Sequence, residues 1–373
     1  MRDRADRPER SPRTGWIGGR RGEILLLGPI FARLGSPSRP GRPGARSWWL
    51  ATGEDGMAAF QALDALGPLP DETAPLCHPA DQPAIRLKIL IERIESFMRR
   101  RKLNRLIFAG VGPAAAAAAL TCHARRTPGL WLRPADPTGL IGRLAWESGL
   151  ERVIGACAPI VRRLDLPPAP DWRRLCGAAG RDERADAGHE ADGLRPGADR
   201  VIWATLRREW GLMGTIGPML RRLAAAAAAR PGIDFVVLSN LNATLERPLA
   251  ALRRDTPNLL IAPPLPVGVY MDLLESSSGV LTDSPMIAAD GLGLGRPVAA
   301  LGEIESAEAP ADPLARPMTP RSVGGGELSA WIDAAPGLPR APAFADPALA
   351  DPARWSEELA GAIDKWITAD NTD

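Results

Sequence analysis

The sequence predicts an α/β protein in which two doubly wound, Rossmann-like domains, each built on a parallel sheet, face one another across a cleft. Apolar strand patterns alternate with helical patterns over residues 22–166 and again over residues 200–335. Between them, residues 167–199 are rich in Pro, Gly, Ala, Asp and Arg, a composition typical of a linker. Such alternation is typical of parallel sheets covered by helices. At 373 residues the chain is long enough for two domains with separate cores.

The ends of the chain are expected to lie outside these two domains. Residues 1–21 are Arg-rich and carry no long apolar segment, which predicts a disordered tail. Residues 336–373 are expected to form a C-terminal segment that ends in an amphipathic helix over residues 351–368.

Charge and composition exclude several classes of function. The formal net charge of +2 does not favour a nucleic-acid or membrane-surface binder. No stretch is long and apolar enough to suggest a membrane span. The four cysteines are widely and unevenly spaced and form no CxxC pair, so the expected location is the reducing cytoplasm. The four cysteines and three histidines lack the spacing of metal ligands, and we expect neither a metal nor another cofactor.

In the first domain, apolar runs bounded by Gly, Pro or charged residues predict five strands, and periodic patterns between them predict helices. The predicted strands are 23–28, 47–51, 105–110, 129–132 and 151–154. The predicted helices are 55–66, Pro83–Arg101, a helix opened by Pro113, and 139–148.

The second domain repeats this pattern. The predicted strands are 200–205, 234–239, 258–262, 279–282 and 297–301. The predicted helices are 216–230, 245–254, 268–275 and one that follows Ser284.

The stretch 280–298 is the most informative in the chain. A short apolar strand ends at Asp283 and Ser284, which supply capping oxygens, and Pro285 occupies the first helical position. The exposed N–H groups of such a helix, at the carboxyl edge of a sheet, suit a phosphate. The alternative is an ordinary connection between helix and strand with a good cap.

Three segments of the second domain resemble the UDP-N-acetylglucosamine 2-epimerase family of the glycosyltransferase-B fold. Ala-Thr-Leu-Arg-Arg-Glu at 204–209 is similar to the family's Gly-His-Arg-Arg-Glu turn, and 238–242 with Pro248 is similar to its His-Leu-Asn segment. The third is similar to the family's Thr-Asp-Ser-Gly-Gly…Glu-Glu…Leu-Gly-Lys-Pro block, and comprises 281–284, Asp290 and 294–297.

The resemblance implies an isomerase of cell-surface polysaccharide biosynthesis that holds a UDP-sugar mainly on the second domain. A homodimer is left open. Ser284 would face the diphosphate, Asp290 the ribose hydroxyls, and Tyr270 would stack on the uracil. The complete set of implied binding residues is Arg207, Arg208, Asn242, Tyr270, Asp283, Ser284 and Asp290. Ion pairing with Glu209 is the alternative for the arginines, and a core or interdomain position is the alternative for Tyr270.

The sequence departs from the family where acid–base chemistry is expected. Leu206 stands at the position of the family's histidine, and Val111 at that of a strand-end aspartate. Asp55, Asp136 and Glu147 are therefore the candidate replacement acids and bases. Three functions remain open: an epimerase with rearranged catalytic groups, a UDP-sugar glycosyltransferase, and a non-catalytic nucleotide-sugar binder.

Overall fold

The structure is a computed structural model that describes most of both predicted domains. The described residues are 11–34, 46–52, 70–74, 83–134, 145–166, 200–205, 216–238, 246–262, 265, 267–301, 315–318, 326–337 and 352–369.

The first domain contains a six-stranded parallel sheet with the strand order β3-β2-β1-β4-β5-β6. Its strands are β1 (Arg13–Gly18), β2 (Arg46–Ala51), β3 (Glu72–Thr73), β4 (Arg105–Ala109), β5 (Gly129–Arg133) and β6 (Val161–Asp165). Its helices are α1 (Arg21–Leu34), α2 (Pro83–Arg101), α3 (Pro113–Arg125) and α4 (Ala145–Gly155).

The second domain contains another six-stranded parallel sheet, in the order β12-β11-β10-β7-β8-β9. Its strands are β7 (Val201–Thr205), β8 (Asp234–Leu238), β9 (Leu259–Ala262), β10 (Gly279–Thr282), β11 (Val298–Leu301) and β12 (Ala315–Met318). Its helices are α5 (Ile216–Ala228), α6 (Glu246–Asp255), α7 (Val267–Ser276), α8 (Pro285–Gly293) and α9 (Glu327–Ala334), the last followed by a 3₁₀ turn at Ala335–Gly337. The C-terminal helix is α10 (Pro352–Thr368).

The two sheets have the same topology, which confirms the predicted fold class of two Rossmann-like domains. In each, the connections run outward in both directions from a central pair of strands, β1 with β4 and β7 with β10. The strand order reverses at these pairs. Ligands of open parallel sheets bind beyond the carboxyl ends of the strands at such a reversal. A ligand site is therefore expected at the loops that follow β1, β4, β7 and β10.

The beginning of the first domain differs from the prediction. Residues 13–18 form β1 inside the segment that we expected to be a disordered tail, and the predicted strand 23–28 lies within α1. Residues 23–28 and Ile30 are all buried, so α1 shows no polar face in this part. A short continuous apolar run does not distinguish a buried strand from a buried helix, which explains the error.

The end of the first domain was also predicted wrongly. Residues 151–154 belong to α4, and the strand of this unit is β6. Arg162 and Arg163 are exposed on β6, which lies at the edge of the sheet. Charged residues are common on edge strands, and here they hid the strand pattern. The predicted helix 139–148 overlaps α4 from residue 145 onward, and residues 139–144 lie outside the described residues, as does the predicted helix 55–66.

The remaining predicted elements are confirmed. Each predicted strand of the second domain is present to within one residue at its described ends, and α2 matches its predicted bounds. Two further elements, β12 and α9, lie in a Pro-, Ala- and Gly-rich segment whose periodicity was too weak to predict them.

One buried apolar cluster joins the two domains. It contains Trp16 of β1, Trp203 of β7 and Tyr270 of α7, together with the apolar face of α10. Helix α10 packs against α1, and the Arg105 guanidinium at the start of β4 donates to the carbonyl oxygens of Trp366 (2.9 Å) and Ala369 (3.1 and 3.2 Å). The C-terminal helix is thereby held on the first domain.

We expect Ile363→Ala to lower the free energy of unfolding by about 2–5 kcal/mol, because Ile363 is fully buried in this cluster and its truncation leaves a cavity. Urea unfolding monitored by tryptophan fluorescence measures the change. Lys365→Ala, at an exposed position of the same helix, is the control and should change stability by less than about 0.5 kcal/mol. A loss below about 1 kcal/mol for Ile363→Ala would contradict the packing of α10.

A second prediction concerns Glu72, which accepts hydrogen bonds from Arg100 and from Arg101 Nε (2.8 Å). Burial by itself raises the pKa of Glu72, but the two guanidinium groups outweigh it and lower the pKa below its ordinary value of 4.5. A lowered folded-state pKa stabilises the protein above 4.5, and this contribution is lost as pH falls through the folded-state value. Glu72→Gln should cost about 0.5–1 kcal/mol at neutral pH, since solvent screens the exposed arginines.

This difference between wild type and Glu72→Gln should shrink as the pH is lowered below 4.5, which denaturation at a series of pH values will measure. Glu357→Gln, at an exposed position of α10, is the control. A difference that stays constant down to the acid transition would contradict the role of this carboxylate.

Candidate functional site

The reversal point of the second sheet is closed by a hydrogen-bonded turn. Thr205 ends β7 and Thr282 ends β10, and the two residues are partners in the parallel register. The Thr205 hydroxyl donates to Thr282 Oγ1 over 2.7 Å. The next residue, Asp283, is buried, and its N–H donates to the Thr205 carbonyl oxygen (3.3 Å). The turn after β10 is thus fixed to the neighbouring strand.

Ser284 is the N-cap of α8, as the sequence predicted. Its backbone is extended (φ −105°, ψ 119°), its Oγ accepts from the N–H of Ile287 at 3.5 Å, and Pro285 follows at the first helical position. A capping serine accepts with an oxygen lone pair and retains its own O–H as a donor. Together with the positive end of the helix dipole, this hydroxyl forms a favourable environment for an anion.

Asp290 lies farther along the same helix. It is six residues from Ser284, or about 9 Å along the helix axis at 1.5 Å per residue. Its side chain is partly buried. The cap and the carboxylate are therefore held at a fixed separation by one rigid element.

Tyr270 is fully buried between the domains. Its ring makes an edge contact with Trp203, with ring centroids 5.8 Å apart and an interplanar angle of 69°. The guanidinium carbon of Arg21, from the first domain, lies 3.7 Å from the ring centroid. A cation over a tyrosine face is a favourable contact. Arg21 thus covers one face of the Tyr270 ring, an environment that matches the core or interdomain alternative for this tyrosine.

The first domain contributes a second tight turn, which follows β1. Glu23, at the third position of α1, is 2 % exposed and accepts from the N–H groups of Gly19 (3.1 Å) and Arg20 (3.2 Å) through Oε2. This is the glutamate half of a capping box. The turn directs the chain from β1 into α1 and places Arg21 beside Tyr270.

The loop after β4 packs closely on this turn. Gly110 has φ +86°, and a Cβ there would lie 2.5 Å from Glu23 Oε1. A Cβ at Gly112 would lie 3.1 Å from the same oxygen and 3.0 Å from the Arg20 guanidinium. Glycine is favoured at Gly110 by its left-handed φ and by the close approach of Glu23, whereas a Cβ at Gly112 requires the ends of the Arg20 and Glu23 side chains to shift slightly.

Sequence reasoning missed this part of the site because residues 23–28 were assigned to a strand. Two signals were available. Gly18 and Gly19 follow an apolar pair, and Glu23 stands three residues after the helix cap, where a capping-box glutamate is expected.

The predicted catalytic groups are largely outside the described part of the chain. Val111 is buried between the two glycines of the β4 loop, and its side chain carries no ionisable group. The backbone of Glu147 lies in α4, but its side chain is outside the described residues. The remaining site positions that the sequence analysis singled out and that lie outside the described ranges are Asp55, Asp136, Leu206, Arg207, Arg208 and Asn242.

Two further observations are limited to the described ranges. Within them, no three His, Cys, Asp or Glu side chains come together in a way that could hold a metal ion. No helix among them combines the length and the hydropathy that crossing a membrane requires.

The fold and the turns at its two reversal points define the class: an α/β protein with two Rossmann-like domains of the glycosyltransferase-B type. No protein-family model matches the sequence. No curated protein matches it either. Solved structures do share the fold along nearly the whole chain, and those named below are UDP-N-acetylglucosamine 2-epimerases or were solved with UDP.

The epimerase from Neisseria meningitidis bound to UDP-GlcNAc has a TM-score of 0.66 and 14 % identity, covering 95 % of this chain and 100 % of its own. The Methanocaldococcus jannaschii epimerase in complex with UDP-GlcNAc and UDP has a TM-score of 0.66 and 13 % identity, covering 94 % and 99 %. The S. aureus MnaA–UDP structure has a TM-score of 0.65 and 13 % identity, covering 95 % and 97 %. These likenesses confirm the predicted resemblance for the fold.

We expect Gly110→Ala to destabilise the protein by about 1–3 kcal/mol, since a side chain at φ +86° is strained and its Cβ would meet Glu23 Oε1. Thermal unfolding will measure the change. Gly361→Ala is the matched control: this glycine lies within α10, a Cβ there meets nothing within 4 Å, and alanine should stabilise the helix by up to about 1 kcal/mol. Equal effects of the two substitutions would contradict the close approach of the two loops.

Proposed function

We propose that this chain is a divergent member of the UDP-N-acetylglucosamine 2-epimerase family that binds a UDP-sugar between its two domains. The observation that carries the proposal is the Ser284-capped helix α8, positioned at the strand reversal of the second sheet. That geometry suits a diphosphate. Support comes from the fold, which is shared with epimerases solved with UDP-GlcNAc or UDP.

Each binding residue has a proposed role that follows from its chemistry. Ser284, with the turn at Asp283, holds the diphosphate at the start of α8. Asp290 accepts hydrogen bonds from the ribose hydroxyls, and its carboxylate suits two adjacent O–H donors. The predicted contributions of Arg207, Arg208 and Asn242 are retained as part of this proposal.

Tyr270 requires a rearrangement to take part. In this structure its ring is fully buried and the Arg21 guanidinium lies over it. A uracil stacks on the face that Arg21 covers only if Arg21 moves away from it or the base inserts between the two groups. Either event exchanges a contact between the domains for contacts through the ligand, so we expect binding to be linked to a change at the cleft.

The reaction proposed for an active enzyme is elimination of UDP from the sugar followed by its return on the other face. Proton transfer in such steps needs positioned acids and bases. Leu206 and Val111 supply none, so the proposal assigns these roles to Asp55, Asp136 or Glu147.

The lack of an ionisable side chain at Val111 favours a second candidate function. It is buried beside the reversal point of the first sheet, and its neighbours Gly110 and Gly112 also lack ionisable side chains. A transferase that carries its reacting groups elsewhere, or a binder without turnover, is consistent with such a loop. A UDP-sugar glycosyltransferase and a non-catalytic nucleotide-sugar binder therefore remain the alternatives.

The binding site is tested by substitution. We expect Ser284→Ala and Asp290→Ala each to weaken UDP binding about tenfold or more, because Ser284 donates to the charged diphosphate and the charged carboxylate of Asp290 accepts from the ribose hydroxyls. Isothermal titration calorimetry with UDP measures the dissociation constants. Ser276→Ala, at the exposed end of α7, where the hydroxyl bonds only its own helix at Leu273, is the control. Unchanged UDP affinity in both site variants would overturn the assignment.

The activity is tested by a proton NMR time course with UDP-N-acetylglucosamine. A new anomeric doublet, or released UDP with a free sugar, indicates surviving chemistry and directs mutagenesis to Asp55, Asp136 and Glu147. An unchanged spectrum with broadened uracil and ribose lines indicates binding without turnover and favours the alternatives. A spectrum that shows no new signals and no line broadening would exclude this nucleotide sugar as a ligand.

A further inference from the structure

Two buried threonines occupy matching positions at the carboxyl ends of β7 and β10. Side chains alternate between the faces of a strand, so Thr205 lies on the same face of β7 as Trp203, and Thr282 on the same face of β10 as Val280. Trp203 and Val280 both belong to the apolar cluster between the domains. On this face, the row of apolar side chains on each strand ends in a threonine hydroxyl, and the two threonines are register partners.

Hydrogen bonds from Thr205 and from Ser284 converge on the Thr282 hydroxyl oxygen. Thr205 Oγ1 donates to Thr282 Oγ1 over 2.7 Å, and the N–H of Ser284 donates to the same oxygen over 3.0 Å. Both threonines are 0 % exposed. A hydroxyl oxygen has two acceptor sites, and these two donors use both. In a low-dielectric environment such bonds are strong and hold a defined geometry.

The backbone adds a second tie at the same place. The N–H of Asp283 donates to the carbonyl oxygen of Thr205 (3.3 Å). Thr205 therefore holds the turn twice, through its side chain by way of Thr282 and through its own carbonyl. In the alignment with the family's Gly-His-Arg-Arg-Glu turn, Thr205 stands at the glycine, so the side-chain tie is a feature of this chain.

We propose that Thr205 is a positioning residue: acting through Thr282, its hydroxyl fixes the turn that presents Ser284 and the first turn of α8 to an anionic ligand. The inference rests on the proposed function, because it takes the ligand of Ser284 to be the diphosphate of a UDP-sugar. Loss of the Thr205 hydroxyl leaves Thr282 with one fewer fixed bond and lets its side chain leave the rotamer that receives the Ser284 N–H.

Two measurements on the full chain test this role. The first is hydrogen exchange of the Ser284 amide, which reports on the hydrogen bond to Thr282 without any ligand. The second is the dissociation constant of UDP. Thr205→Val removes the hydroxyl at nearly constant shape, and Thr205→Ser restores it. Thr256→Val is the control, because Thr256 is a buried threonine of the same domain that lies before the amino end of the edge strand β9, whereas Thr205 ends a central strand.

We expect Thr205→Val to accelerate exchange at Ser284 and to weaken UDP binding, each about fivefold, the value of one hydrogen bond. Thr205→Ser should stay within about twofold of wild type, and Thr256→Val should change neither measurement. This pattern supports the positioning role, since generic loss of a buried hydroxyl would act equally at Thr256.

Other outcomes overturn it. Unchanged exchange at Ser284 in Thr205→Val removes the hydrogen-bond chain, whatever UDP does. Faster exchange with unchanged UDP affinity shows that the turn is held but that the ligand does not depend on it. If wild type itself does not bind UDP, the proposed function fails and the ligand role of Thr205 falls with it, whereas the exchange result still decides whether Thr205 holds the turn.

Discussion

The packing of both sheets against one buried apolar cluster is the constraint on which the cleft depends. Trp16 of the first sheet and Trp203 of the second belong to this cluster, and α10 supplies Trp355, Ile363 and Trp366 to it. Burial of large apolar side chains is the main stabilising contribution available to such an interface. Because the cluster lies between the sheets, the loops at their carboxyl ends are brought to a common region. The distance between Arg21 and Tyr270 is one result of that packing.

The two reversal points are built by different means. On the second domain, hydroxyl groups fix the turn: Thr205, Thr282 and Ser284 form hydrogen bonds to one another and to the backbone. On the first domain, the absence of side chains at Gly110 and Gly112 allows two loops to meet around the carboxylate of Glu23. Both arrangements leave the first turn of a helix directed at the cleft, and both keep it rigid. Rigid positioning reduces the entropy that a ligand must lose on binding.

Much of the fold could be predicted from the sequence because most strands are short apolar runs with clear Gly or Pro boundaries. The second domain follows this rule closely, and its capped helix α8 was predicted from Asp283, Ser284 and Pro285 alone. The errors arose where local pattern and tertiary environment disagree. The start of α1 is buried all round and therefore looks like a strand, whereas β6 is an exposed edge and looks like no strand at all.

The candidate site was predicted less completely, for physical reasons. A cap is a local feature that four residues specify, so Ser284 could be found. The contact of Arg21 with Tyr270 joins residues from different domains, and no local sequence pattern predicts it. The Thr205–Thr282 pair needs the strand order and the register, which only the assembled sheet supplies.

The position of α10 also has a consequence for the order in which the molecule can be completed. Helix α10 packs on α1 and is held by Arg105, yet the whole second domain lies between them in the chain. During synthesis, β1 and α1 leave the ribosome before the second domain, and the helix that covers them leaves after it. Domains generally fold as units while the chain is still growing. Here the first domain must wait with part of its apolar surface uncovered until the second has been made, and a chain released before α10 would carry that surface into solution.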